Sequence, residues 1–519
     1  MRYIIILFFF SILTHGQNGV NTPLKAFPDA FGGGANSTGG RGKSLAIVNT
    51  LNRNTTLTFV AATGGNAEYY TGGLFPAMQN TNVGYIVFNI SGNIALGTGG
   101  TAAQFGGGGM QDVNNKTIFG QSAPLGGITL NGGGFRLDGR FGDNQHLIIR
   151  YIRSRPINDK DGNQMNTSGT IDDDANTWAL LISGGNNIMV DHFSGAFAFD
   201  KVMGGAISEL HVDQNSTFYG VTYQNSMLSD GHTLGYSAVN PDRRDDPEQF
   251  MSDHSWIKNL FLGGNRTPNM AFDGYGEVVN NVIYEIPSKN ITTYMDVDLN
   301  HIGNYYKDAT MEPNRIFDYD TGTVSIFTRN NFATSLLSGN ETGNNTGIWN
   351  FNDGTLGQAS SSFFTSTRHS GTRGVAYTEI SASDAYQDVV INGNVGAYKY
   401  LDNNGNVQIY RDPYDTQMLD VAKNGTSYSF RQVSNFVLPT IPSNTRPSDY
   451  DTDNDGMSDA WEIREYGNLN QSYGGDFDGD GYENIEEFFN QVDRTAPIAA
   501  PGGTVISNPR ASNSALINN

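Results

Sequence analysis

Two acidic runs near the end of the chain are spaced for one kind of chemistry. Asp451, Asp453, Asp455, Asp459 and Glu462 occupy positions 1, 3, 5, 9 and 12 of a window with Gly456 at position 6. Asp476, Asp478, Asp480, Asn484 and Glu487 repeat the pattern around Gly481. Oxygen donors so spaced wrap a hard cation. The glycine permits the sharp turn, and the last carboxylate can bind through both oxygens. Met457 and Tyr482 stand where a backbone carbonyl would complete the set. A solvated acidic run has no reason to repeat the glycine and the terminal glutamate, so the tandem points to calcium. The segments WEIREYG (461–467) and IEEFFNQV (485–492) can each start a short helix beside a loop.

Other reactive side chains lie far upstream. Arg266 precedes Thr267 and Pro268, inside an Asn265 glycosylation sequon. Taken alone, an arginine there reads as an exposed turn residue held by the proline. Asp172, Asp173 and Asp174 form a carboxylate cluster, and Asp200 is followed by Lys201. Asp230 and His232 make a polar pair in a glycine-containing turn, where a histidine is more often simply solvated. Trp178 could stack on a sugar ring or pack in a core.

The elements that must position these groups are short strands. The chain has 519 residues with 64 glycines and no cysteine, so packing, hydrogen bonds or metal ions must hold it without disulfides. Residues 22–437 are Gly/Asn-rich, with β-branched and aromatic runs; Asn259, Asn281 and Asn304 end successive runs at spacings of 22 and 23. That spacing is one coil of a parallel β-helix, in which the asparagines could ladder along the stack. A β-sandwich with Asn-rich turns is the alternative the residues leave open. Residues 438–449 carry three prolines and read as a linker; 451–490 hold the paired calcium loops; 494–519 read as a disordered tail.

At the other end, Arg2 precedes the apolar run Ile4–Leu13, too short to span a bilayer. We expect a signal peptide at 1–16 and a secreted, extracellular product without membrane segments. The net charge of −21 disfavours nucleic acid as a partner.

The first zone resembles the pectate lyases of polysaccharide lyase family one, in the secreted branch with a C-terminal EF-hand or dockerin-like tail. FPDAFGGGANSTGGRG (27–42), TIFGQSAPLGGITL (117–130), HLIIRYIRSRP (146–156), NNIMVDHFS (186–194), NLFLGGNRTP (259–268) and GEVVNNVIY (276–284) occur in the family's order. The resemblance implies an all-β fold: a right-handed parallel β-helix, here with a small C-terminal calcium-binding helical module. It implies calcium-assisted β-elimination on pectate or a related polyuronate of plant or algal origin, by a monomer. Arg266 takes the first position of the family's R-x-P-x-x-R motif and so the role of base. The second arginine falls on Ala271, and a calcium aspartate on Trp178. Asp174 and Asp200 are then the remaining candidate ligands, with Trp178 and His232 as candidate substrate contacts. These departures leave a second reading, a degenerate β-helix that binds glycan without cleaving it. A hydrolase using clustered aspartates on the same fold is weaker, because its Gly-His-Gly and Arg-Ile-Lys pieces are absent.

Overall fold

The computed structural model describes residues 23–96, 109–111, 113–138, 144–156, 178–207, 217–239, 250–307, 312–318, 323–333, 336, 343–429 and 436–493. The expected signal peptide, Asp172–Asp174 and the expected disordered tail lie outside these residues.

Short strands stack in parallel into a 12-stranded and an 18-stranded sheet, the arrangement of a parallel β-helix. The first sheet shows how the sequence enforces the stack. Ala46, Ile86, Ile118, Ile149, Val190, Tyr223, Trp256, Val278, His301 and Thr328 pair one above another in a continuous register. All ten are buried. Side chains alternate along a strand, so each coil points one set inward, and only neighbouring coils can cover it. Burying an Ile or Val stabilises by about 1.5–3 kcal/mol, so the stack gains with each coil added. His301 and His254 are fully buried as neutral imidazoles, which burial pushes down to about 3.

The corner asparagines form the ladder their spacing predicts. Asn259 Nδ2 donates to Asn281 Oδ1 at 3.0 Å, Asn281 to Asn304 at 3.1 Å, and Asn304 to Asn331 at 3.0 Å. Asn331 ends the series on Asn345 at 3.2 Å. Each acceptor oxygen also takes a backbone N–H from the coil before it, as at Asn259 N to Asn281 Oδ1. No buried corner amide is thereby left unpaired along the ladder, which fixes the stagger of successive coils.

The glycine-rich segment 32–42 lies across the outer face of the same sheet. Gly33 N donates to Ser255 Oγ at 3.1 Å, Gly34 N to Thr222 Oγ1 at 3.0 Å, and Gly40 N to Thr117 Oγ1 at 2.9 Å. A Cβ at Gly33 or Gly34 would collide with the backbone carbonyls of Asp253 or Ile188, so this approach requires glycine.

The stacked coils end near residue 358, where Trp349–Asn352 turns back antiparallel onto Leu356–Gln358. The chain then returns over the outside of its own coils; the sequence assigned 22–437 to one β-helix domain and left 310–437 either to complete the coils or to wrap its groove. This return strap meets coil residues in nearly descending order. Phe364 bridges Ile326, His369 N donates to Asn300, and Thr372 to Asp253. After one step back at Ile380–Asn280, Gly396 reaches Asn225 and Ala397 reaches Ser194. A helix at Pro413–Asn424 packs Tyr414, Met418, Leu419 and Ala422 on Leu260, Leu262, Val282 and Tyr284. Asp412 caps that helix, accepting from Asp415 N at 2.7 Å, and Gly425 ends it in the left-handed conformation.

The proline-rich stretch 438–449, read from composition as a linker, is fastened to the first coils. Asn444 N donates to Ser91 Oγ at 2.9 Å, and the buried Arg446 donates to Ser122 O and Leu401 O at 2.7 and 2.6 Å. Composition registers the prolines but not the carbonyls waiting on the coil. The two acidic loops, expected from their spacing to bind calcium, follow, each leading into a short helix, Asp459–Glu465 and Asn484–Asn490.

Candidate functional site

Arg266 ends the strand Leu260–Arg266, and the coil register decides its neighbours. Trp178 pairs with Lys201, Lys201 with Thr233, Thr233 with Arg266, and Arg266 with Lys289. One column therefore carries three cations on four successive coils, which rise about 4.8 Å each. The next column pairs Tyr236, Asn269, Thr292 and Arg315. Between them opens a cleft of about 470 Å³, lined by Asp200, Lys201, His232, Arg266, Lys289 and Tyr294 among others. Tyr236 and Phe317 add aromatic wall, and Lys289 Nζ lies 4.8 Å from the Phe317 ring.

The electrostatics of the cleft are cationic. Burial, then the nearby Arg266, lowers the pKa of both His232 and Lys289. His232 is thus a neutral imidazole near pH 7. Arg266 Nε is buried without a hydrogen-bond partner. Asp200 is bound by its own neighbour, Lys201 Nζ, at 2.6 Å.

Of the residues singled out in the sequence, the cleft unites Arg266, Asp200 and His232. Trp178 is only 7 % exposed. It packs edge-on to Tyr236 at 5.5 Å under the Lys201 ammonium, so its ring supports the cation. Asp230 separates from His232. Its positive φ of 41° turns it to the opposite side, where Tyr414 and Tyr428 hydroxyls donate to it at 2.8 and 2.7 Å. Sequence reasoning missed Lys289, Tyr236, Tyr294 and Phe317. The signal for Lys289 was present, since it stands 23 residues after Arg266, one coil by the asparagine spacing.

The donor set for a calcium ion in this cleft is poor among the described residues. Calcium takes roughly six to eight oxygens. Asp200 offers one carboxylate, and an ammonium already occupies it. Asp174, the other candidate ligand, lies outside the described residues.

The C-terminal loops are the reverse. Asp451, Asp453 and Asp459 converge, as do Asp453, Asp455 and Glu462. Both carboxylate oxygens of Glu462, with Asp453 Oδ1 and Asp455 Oδ2, are buried and receive no hydrogen bond. Burial first, then neighbouring carboxylates, raises the pKa of Asp451, Asp455 and Glu462. The second loop copies the backbone geometry. Gly456 N donates to Asp451 Oδ2 at 2.9 Å, and Gly481 N to Asp476 Oδ2 at 3.0 Å. Its converging group is Asp476, Asp478 and Asp480, all exposed; Glu487 is not part of it. Asn484 at position 9 accepts from Phe477 N at 3.1 Å, as Asp459 accepts from Thr452 N at 2.8 Å.

No protein-family model matches the chain. It is similar to a protein named probable pectate lyase C from Neosartorya fischeri, 26 % identical over 349 residues that cover 66 % of this chain and 68 % of the relative. Its Aspergillus flavus namesake is 24 % identical over 480 residues, covering 90 % and 94 %. Among solved structures, a pectate lyase bound to a hexasaccharide superposes with a TM-score of 0.44 at 14 % identity, covering 72 % of this chain and 98 % of that one.

Proposed function

We propose that this relative of the pectate lyases is itself a polysaccharide lyase, acting on pectate or a related polyuronate in the cleft around Arg266. The observation that carries the reading is the register-locked column of Lys201, Arg266 and Lys289 beside an aromatic wall. A polyuronate repeats a carboxylate on every sugar, and a ladder of cations along the stacking axis matches such a chain.

In β-elimination a base removes the C5 proton, which lies α to the uronate carboxylate. The carboxylate takes up the charge as an enolate-like dianion, the C4–O bond breaks, and the leaving oxygen gains a proton. Lys289 and Lys201 face the carboxylate and meet the developing charge with fixed cations. Arg266 is the proton acceptor in this reading, a step that needs its guanidine neutral while Lys201 and Lys289 remain the cations, and water supplies the proton that the leaving oxygen gains. That role is demanding, since a guanidinium holds its proton strongly. Resident calcium in family enzymes screens the substrate carboxylate; here Lys201 already engages Asp200, so the lysines carry that task. Export from the cell, which the apolar start of the chain favours, would place the enzyme beside such polymers. No helix among the described residues is long and apolar enough to cross a membrane.

The second reading, a β-helix that binds glycan without cutting it, draws on the same Asp200–Lys201 pair, because an aspartate held by an ammonium is a weakened metal ligand. Mixing the full chain with polygalacturonate, pectin and alginate separates the two. A lyase generates an unsaturated end that absorbs in the ultraviolet. Binding to any of these polymers with no absorbance change on all three would sink the lyase reading.

A further inference from the structure

We propose that a calcium ion in the loop Asp451–Glu462 is the buckle of the return strap: it fastens the strap's far end to the outer face of the first coils, while the loop Asp476–Glu487 holds calcium only weakly. Nothing in this depends on the lyase reading.

The motif supplies the donor types, but the structure adds that they are committed to a ligand. Glu462 is fully buried and neither oxygen receives a hydrogen bond; Asp455 is 1 % exposed with one oxygen in the same state. Uncompensated buried carboxylates are strongly unfavourable, and several converging ones more so. A divalent cation resolves this, taking Asp451, Asp453, Asp455 and Glu462 together.

The loop is also built into an interface. Met457 and Trp461, from the loop and its helix, share a core with Leu45, Ile47, Tyr85 and Phe119 of the outer sheet face. Gly456 sits against Leu45, and Ala67 N donates to Asp453 O at 2.9 Å. Ser458 Oγ donates to Asn403 O at 3.1 Å, tying the loop to the hairpin Lys399–Leu401/Val407–Ile409. A loop that opens for want of its ion therefore uncovers an apolar patch on the coils and frees the hairpin. Downstream ties, Arg41 with Glu486 and Arg150 with Asp493, lie beyond the loop along the strap.

The second loop differs in each respect that governs affinity. Its three aspartates are exposed to water, and Glu487 does not join them. Gly479 has no neighbouring atom within reach of an added Cβ, so that turn is open to solvent.

The test uses the full chain, decalcified and then titrated with CaCl2 by calorimetry, with hydrogen exchange read in both states. We expect one tight and one much weaker site. Chelation should speed exchange at least ~10-fold in Lys399–Leu401, in 443–493 and in Ser44–Val48, and leave Asn259–Asn304 unchanged. Glu462→Gln should abolish the tight site and Glu487→Gln should leave it. Should Glu462→Gln fail to fold, chelation of the unaltered chain gives the same readout. Absence of calcium binding, calcium binding without slower exchange in these segments, or loss of the tight site in Glu487→Gln would each overturn the proposal.

Discussion

Asp200 and Asp455 are the same side chain in opposite circumstances. In the cleft, Asp200 is partly exposed and held by an ammonium at 2.6 Å. In the first acidic loop, Asp455 is buried and one of its oxygens faces other carboxylates with no donor. The cleft has neutralised its acid and presents cations to an anion. The loop has gathered acids without hydrogen-bond donors for all their oxygens. The two regions therefore pose opposite electrostatic problems: the loop leaves buried carboxylate oxygens without donors, whereas the described acid of the cleft is paired within it.

The sharpest way to break this division is to exchange the effects. Replacing Arg266 with alanine should lower turnover on polygalacturonate by at least ~10³-fold, the scale of losing a proton-transfer group, with thermal stability in calcium unchanged. Activity that survives the substitution removes Arg266 from the chemistry.

A smaller effect sharpens the same contrast. Lys289→Met should cost about 10–100-fold in kcat/KM, the worth of one charge-assisted contact. Turnover of the intact enzyme at moderate temperature should persist after calcium is removed. Added calcium that restores the Lys289→Met variant would show a metal doing the lysine's work and erase the distinction.

The two regions also differ in how much of them the sequence disclosed. The acidic loops are local: every donor of the expected calcium set falls inside 12 residues, so the grouping of the carboxylates can be read from spacing alone. The asparagine corners were legible for a related reason, because each recurs at the coil length. The cleft depends on register. Lys201, Thr233, Arg266 and Lys289 are adjacent only because unequal turns bring their strands level, with Thr233 and Arg266 separated by 33 residues and Arg266 and Lys289 by 23. Trp178 read as a possible sugar platform because its type is visible and its burial is not. The return strap was hidden more deeply. Its prolines and small polar residues resemble a linker, and what fastens them is carbonyl and hydroxyl groups on coils hundreds of residues away, as at Arg446 and Ser122.

The smallest expected effect concerns His232, and it decides how the cleft handles protons. Burial and the Arg266 charge both disfavour its imidazolium, so its pKa lies below the usual histidine value. The group is neutral at pH 7 and gains its proton only as pH falls below about 6.5. The sign for folding follows: with the folded-state pKa lowered, its contribution to stability is present above the unfolded value and declines as pH falls toward the folded one. For turnover, a new cation beside Arg266 and Lys289 would compete for the substrate carboxylate and distort the ladder. We expect kcat/KM to show an acid limb of one proton below about 6.5, and His232→Gln to flatten that limb while changing the neutral rate only a few-fold. A neutral imidazole is, however, a far better base than a guanidinium. If the variant instead loses ~10²-fold or more at pH 7, the proton goes to His232, and Arg266 serves, with Lys289, to hold the enolate.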